Sequence, residues 1–181
     1  MTTTTQERID TTTPSKRWTR RRKLPRRWRQ FVVLLHVILS VGWLGVAASA
    51  LVLSIVAFFE TRVPVLRAVY EFHGMLIAVL TRPIGIGAVV TGIILSLGTK
   101  WGLVRHYWVL TKFVLSIGAI LLSAMVQTEL IEVGLAYANT PGSAELASAQ
   151  SGILLVAIFH VVALGLSTGL SVYKPRLRRG S

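Results

Sequence analysis

His36, His73 and His160, together with Lys112 and Arg82, are the residues of this 181-residue chain whose chemistry is least at home in their surroundings. Each lies in or beside a long apolar run, where an ionisable group is costly and marks a candidate site. Two imidazoles from different helices can ligate haem iron axially, and Lys or Arg can pair with haem propionates. Histidine also suits copper, although the soft donors that Cu(I) sites recruit are scarce, with three Met and no Cys. The lack of cysteine excludes disulfides, thiolate metal sites and thioether attachment of haem. The chain has no Ser–His–Asp arrangement, phosphate loop, dinucleotide fingerprint or HExxH helix. Hydrolase and nucleotide-enzyme chemistry therefore has no support, and no catalytic residue is assigned.

Spacing sorts these residues into two groups. His36 lies about two turns into the first apolar run, followed by Ser40, Trp43 and Ala47 at helical spacing. Lys112, Ser116, Ala119, Ser123 and Gln127 form a similar stripe in the third run. Counted from the same side of a membrane, His36 and Lys112 fall at comparable depth and can share one polar site. His73 and His160 lie toward the opposite side. Arg82 sits near the middle of the second run, and Pro83 after it removes a backbone donor and predicts a kink. A buried Arg needs a partner: a carboxylate such as Glu71 or Glu129, backbone carbonyls, or an anionic ligand. The candidate cofactor-binding set is thus His36, Lys112, His73, His160 and Arg82, with His36 and His160 as candidate metal ligands. Plainer roles compete with each: Lys112 snorkelling to the surface, histidines that only bond neighbouring helices, an interfacial His106, and Arg82 clamping the kink.

The elements that must position these residues are membrane spans. The chain is 52% hydrophobic, yet its formal net charge is +13, with a mean hydropathy of +0.62 and a pI near 11.5. The two facts are compatible because the charge is segregated. Basic residues cluster from Lys16 to Arg29 and again at Lys174, Arg176, Arg178 and Arg179. Apolar runs fill the space between. Basic flanks beside hydrophobic spans set membrane orientation, and no nucleic-acid recognition motif accompanies them. We therefore expect an all-α, polytopic four-helix transmembrane bundle at 30–173, with spans at about 31–59, 69–97, 107–131 and 152–173. Residues 1–29 are expected to be a disordered Thr-rich segment and then a basic cytoplasmic tail, and 174–181 a second basic tail. Ala48-Ser49-Ala50 imitates a signal-peptide cleavage site, but the apolar run continues to Phe59 and further spans follow. Glu60 to Arg67 and Glu132 to Ser151 read as connecting loops, the second turning at Asn139-Thr140-Pro141-Gly142. The positive-inside bias predicts both termini and the Lys100/Arg105 loop in the cytoplasm. Trp28, Trp101, Tyr107, Trp108 and Tyr173 then mark the inner interface. The partners expected are the lipid bilayer of a bacterial plasma membrane and, at the tails, anionic headgroups, at about 1 kcal/mol per basic residue. Gly165-Leu166-Ser167-Thr168-Gly169 and the Ala88/Gly92 pair are small-residue packing signals. They leave room for a homo-oligomer or a partner membrane protein.

The runs Leu35-His36-Val37-Ile38-Leu39-Ser40-Val41-Gly42-Trp43 and Trp101-Gly102-Leu103-Val104-Arg105-His106-Tyr107-Trp108-Val109-Leu110-Thr111-Lys112, with Thr91-Gly92 and Ser96-Leu97-Gly98-Thr99, carry a resemblance. Over roughly Gln30 to Tyr173 the chain resembles a family of uncharacterised, largely actinobacterial four-helix membrane proteins carried as a domain of unknown function. More distantly it is similar to CopD-like copper-resistance proteins and HemJ-type protoporphyrinogen oxidases. His36 with Trp43, and Trp108 with Lys112, match the His and Lys elements of the HemJ-type first and third helices. Thr81-Arg82-Pro83 looks like that family's second-helix Thr-Pro element, interrupted by Arg. The resemblance implies His36 as a haem b ligand and Lys112 as a site residue. The chain departs from the pattern at Ala57-Phe58-Phe59-Glu60-Thr61-Arg62, where HemJ-type chains end their first helix in Tyr-His, and its third helix has no terminal Tyr-His pair. Those departures count against porphyrinogen oxidation. Three functions follow as expectations: a haem-b redox or electron-transfer protein using His36, a copper-handling protein using His36, His73 and His160, or a non-enzymatic accessory subunit.

Overall fold

The computed structural model describes residues 25–98 and 107–173. The expectations for the Thr-rich segment, most of the first basic cluster, Lys100, Trp101, Arg105, His106 and the C-terminal tail lie outside the described residues. Four helices are long and apolar enough to cross a membrane: α1 (Arg26–Phe59), α2 (Val63–Gly98), α3 (Tyr107–Tyr137) and α4 (Ala144–Tyr173). They form an all-α antiparallel bundle in which α1 packs on α2 and α4, and α3 packs on α4 and α2. Arg26, Gly98, Tyr107 and Tyr173 therefore share one end, the termini end. The turns after α1 and α3 share the other, the hairpin end.

Every helix carries a narrow inward stripe and a broad apolar outer face. On α1 the buried residues are Trp43, Ala47, Ala50, Ser54 and Ala57, spaced at threes and fours. Outside them Val41, Val52, Leu155 and Met125 are each 60% exposed or more. So much outward apolar surface belongs in lipid, and the chain is a multi-pass membrane protein. The helices run past the apolar windows that announce them. α2 begins at Val63, because Pro64 falls in its first turn, where a missing N–H breaks no helical bond. α3 continues through Glu132 to Tyr137, and α4 starts at Ala144, eight residues before the expected span.

The turns are correspondingly short. Between α1 and α2 the Glu60 carboxylate accepts the backbone N–H groups of Thr61 (3.0 Å) and Arg62 (2.9 Å). It also pairs with the Arg62 guanidinium at 2.8 Å. Hydrogen bonding to Arg62 holds the Glu60 carboxyl down at about 2, well below the usual carboxylate range. Gln150 on α4 donates to the Ala57 carbonyl at 2.6 Å, satisfying one of the acceptors that the end of α1 leaves open. The second turn uses Gly142, whose φ of 90° suits glycine.

Close approach of α1 to α2 rests on glycine. A Cβ on Gly85 would stand 3.0 Å from the Trp43 ring, one on Gly87 3.0 Å from Leu39, and one on Gly92 3.2 Å from His36. The Ala88/Gly92 pair is therefore a helix contact. Gly165 and Gly169 have nothing within 4 Å, so the GxxxG face of α4 packs on no other helix among the described residues. Near the hairpin end Gly134 lies under Tyr70, where an added Cβ would come within 2.5 Å of the ring. Tyr70 is fully buried among Leu66, Ile131 and Ile153. Gly134→Ala should therefore destabilise the detergent-solubilised protein by about 1–3 kcal/mol, while Gly165→Ala leaves it unchanged. Thermal unfolding of the two variants checks the contrast.

Candidate functional site

At the termini end, one residue from each helix contributes to a polar cluster. His36 of α1 points at α2, its Nδ1 lying 3.0 Å from the Ala88 carbonyl oxygen and 3.0 Å from Thr91 Oγ1. The Thr91 hydroxyl donates to the Gly87 and Ala88 carbonyls of its own helix, so it faces the imidazole as an acceptor. Two acceptors fix the tautomer: Nδ1 carries the proton, and Nε2 keeps a lone pair. Among the described residues Nε2 has no hydrogen-bond partner. The open face of Gly92 is what lets the ring lie flat enough to reach Ala88.

Lys112 of α3 donates to Ser171 Oγ of α4, and Ser171 passes its own proton to the Ser167 carbonyl at 2.9 Å. The Lys112 ammonium lies close enough to His36 for its charge to act on the imidazole. The two residues thus share one site, between helices that lie diagonally across the bundle. No carboxylate pairs with Lys112 among the described residues, where the sole ion pair is Arg62–Glu60. Two further groups at this level are buried without partners, Trp43 Nε1 and Ser167 Oγ. Thr91 and Ser171 were not singled out from sequence. The Ser167/Ser171 pair, one turn apart on α4, is the signal that points to them.

The remaining predicted residues lie elsewhere. His160 on α4 is buried between carbonyls, Nδ1 at 2.8 Å from Val156 O and Nε2 at 2.9 Å from Ala119 O of α3. A neutral imidazole carries one N–H, so His160 donates to one of these carbonyls while its other nitrogen abuts the second and faces no open space. His73 on α2 is fully buried and meets the Gln127 side-chain amide of α3 at 3.2 Å through Nε2. Arg82 donates from Nη2 to Thr128 Oγ1 at 2.6 Å. Of the partners anticipated for it, Glu71 and Glu129 are both outside ion-pair range. The three histidines in the described helices therefore engage three different sets of partners. No group of three or more His, Cys, Asp or Glu side chains that could hold a metal occurs among the described residues.

α2 does not break at Pro83. A wide π turn, Ile77–Thr81, precedes Arg82, whose N–H bonds the Ile77 carbonyl five residues back. The carbonyl that Pro83 leaves without a donor, at position 79, falls inside that wide turn. A matching π turn on α3, Ser123–Gln127, ends one residue before Thr128.

Comparison of the chain with protein-family models, with curated proteins and with solved structures finds no match in any of the three. What the site can do is read from its own geometry. An imidazole anchored through Nδ1–H with Nε2 open is the arrangement that metal-ligating histidines adopt. His160, seated between Val156 O of its own helix and Ala119 O of α3, is a buried contact between α3 and α4. His160→Ala should therefore lower stability by about 2 kcal/mol or more, and His36→Ala by less, since one side-chain bond between membrane helices averages about 0.6 kcal/mol. Chemical denaturation of both variants in detergent tests that order.

Proposed function

We propose that this chain is a bacterial plasma-membrane protein, with both termini in the cytoplasm, that binds haem b at the termini end of its bundle through His36. The observation that carries the reading is the His36 tautomer: Ala88 and Thr91 hold Nδ1–H, and Nε2 is left as a ligand. The donor set fits the group on one further count. Lys112 is a cation without a carboxylate partner among the described residues, and a haem propionate would supply one. Arg26, Arg27 and Arg29 at the termini end, against Glu60, Glu71, Glu129, Glu132 and Glu145 toward the hairpin end, support the orientation.

In this reading, the haem supplies one-electron redox chemistry. The chain's residues do the rest. Ala88 and Thr91 orient the imidazole, Lys112 offsets negative charge, and the apolar outer faces of α1 and α2 keep the surroundings dry. His160 and His73 have other attachments, so among the described residues His36 is the imidazole that would hold the haem. The same separation counts against copper handling by three histidines, which as placed do not offer one ion a shared set of donors. A second reading, a non-enzymatic subunit, is favoured by His160: a buried membrane histidine wedged between backbone carbonyls of α3 and α4 serves packing.

Absorbance of the detergent-purified protein, as isolated, after haem loading and after dithionite, tests the proposal. The expected result is a Soret band that shifts on reduction, is lost in His36→Ala and survives in His160→Leu. Thr91→Val should weaken haem binding about tenfold, as loss of an orienting partner does. No Soret band after haem loading, or an undiminished band in His36→Ala, would contradict it.

A further inference from the structure

A second polar cluster lies deeper in the membrane, on the seam between α2 and α3, and haem binding at His36 makes no use of it. Each helix carries a π turn there, Ile77–Thr81 and Ser123–Gln127, and the residues that follow them, Arg82 and Thr128, are bonded to each other. Arg82 follows nineteen residues of α2 and precedes sixteen, so its Cα lies near mid-span, more than 20 Å from either helix end at about 1.5 Å per residue. Among the described residues its only side-chain hydrogen bond goes to a neutral hydroxyl, and that hydroxyl in turn donates to the Ser123 carbonyl at 3.1 Å. A guanidinium in the middle of a membrane span costs about 2.5 kcal/mol or more, and a neutral acceptor cannot offset the charge.

The groups left unsatisfied along the same seam share one character. Arg82 Nε–H is buried without a partner. The same is true of the hydroxyls of Ser123, which is 1% exposed, and of Tyr70, which is fully buried. His73 accepts from the Gln127 amide at Nε2, so its orphaned, buried Nδ1 carries a proton. All four orphans can donate. Orphaned donors at this density are rare in a folded interior and call for an acceptor. With an uncompensated cation beside them, that acceptor is an anion. A metal ion is the wrong sign, and no carboxylate of the described residues reaches the seam.

We propose that the α2–α3 seam is a binding site for a carboxylate, held by Arg82 with Ser123 as a second donor. The unpartnered Nε–H lies beside the Nη2 that Thr128 engages, and that edge of a guanidinium takes a carboxylate side-on through two parallel bonds. Lysine cannot present such an edge. A π turn is a point at which a helix yields readily, and one on each helix lets the ligand enter by a small parting of the seam. The carboxylate comes from one of two sources: a small acid dissolved in water, or the head of a fatty acid within the bilayer.

Thermal unfolding of the full chain in detergent decides the matter, with sodium acetate and sodium oleate as probes. Sodium chloride at equal ionic strength is the control for the first, and oleyl alcohol for the second. The site predicts a saturable rise in melting temperature of about 5 °C with one of the two acids beyond its control. A response to acetate assigns a water-borne ligand, and a response to oleate alone assigns a lipid-borne one. The rise should vanish in Arg82→Gln. In Arg82→Lys, which keeps the charge and loses the fork, the midpoint should move to about tenfold higher ligand, a change of about 1.4 kcal/mol. If Arg82→Gln does not yield folded protein, Arg82→Lys and Ser123→Ala carry the test. No saturable rise with either acid, or an unchanged midpoint in the variants that fold, would overturn the proposal.

Discussion

Lipid cannot hydrogen-bond the backbone, so every polar group within these spans must find its partner inside the protein. That constraint governs what the side chains do. Ser54, Thr91, Ser96, Thr111, Thr168 and Ser171 each turn a hydroxyl onto a carbonyl of their own helix. Gln150 bonds the end of α1, and His160 lies between carbonyls of two helices, donating to one of them. His36 follows the same rule, and its attachment to Ala88 is what leaves the other ring nitrogen free. The open ligand position is a by-product of satisfying the first nitrogen.

Packing, more than hydrogen bonding, holds the bundle in the register that this arrangement needs. At about 0.6 kcal/mol for an average interhelical side-chain bond, the His36 contact alone would not fix α1 against α2. The Trp43 indole seated on Gly85, and Leu39 on Gly87, supply a larger contact surface. The termini-end site therefore depends on glycines that never touch a ligand. Away from that end the same pair of helices changes character. α2 turns toward α3, and His73, Arg82, Gln127 and Thr128 replace the glycine groove with a polar seam.

Much of the fold is legible in the sequence because lipid imposes a simple code. Four long apolar runs give four helices, and the stripe Lys112, Ser116, Ala119, Ser123, Gln127 marks the inward side of α3, its last three residues buried. The ends were less legible. The apolar runs mark the part of each helix inside the hydrocarbon, whereas α2 starts six residues before its expected beginning and α4 eight. A charged residue such as Arg67 or Glu145 is at ease on a helix once that helix has left the hydrocarbon. Irregularity at Arg82-Pro83 was visible, but its form was not: a π turn widens the backbone without a sequence signature, and α2 continues. Shared depth put His36 and Lys112 at the same end of the bundle, since depth is a count along the chain. The partners of His160 and Arg82 were out of reach, because backbone carbonyls look alike in every sequence and Thr128 is one hydroxyl among many.

The account turns on which nitrogen of His36 holds the proton. Nitrogen-15 NMR of histidine-labelled protein in lipid, assigned by comparison with His36→Ala, reads that directly. The structure predicts one neutral imidazole with Nδ1 protonated and Nε2 bare at pH 7.5, about one unit above the ordinary histidine value. A bare Nδ1, with the proton on Nε2, would mean that Ala88 and Thr91 do not orient the ring and that no ligand position is held open, contradicting the account at its centre.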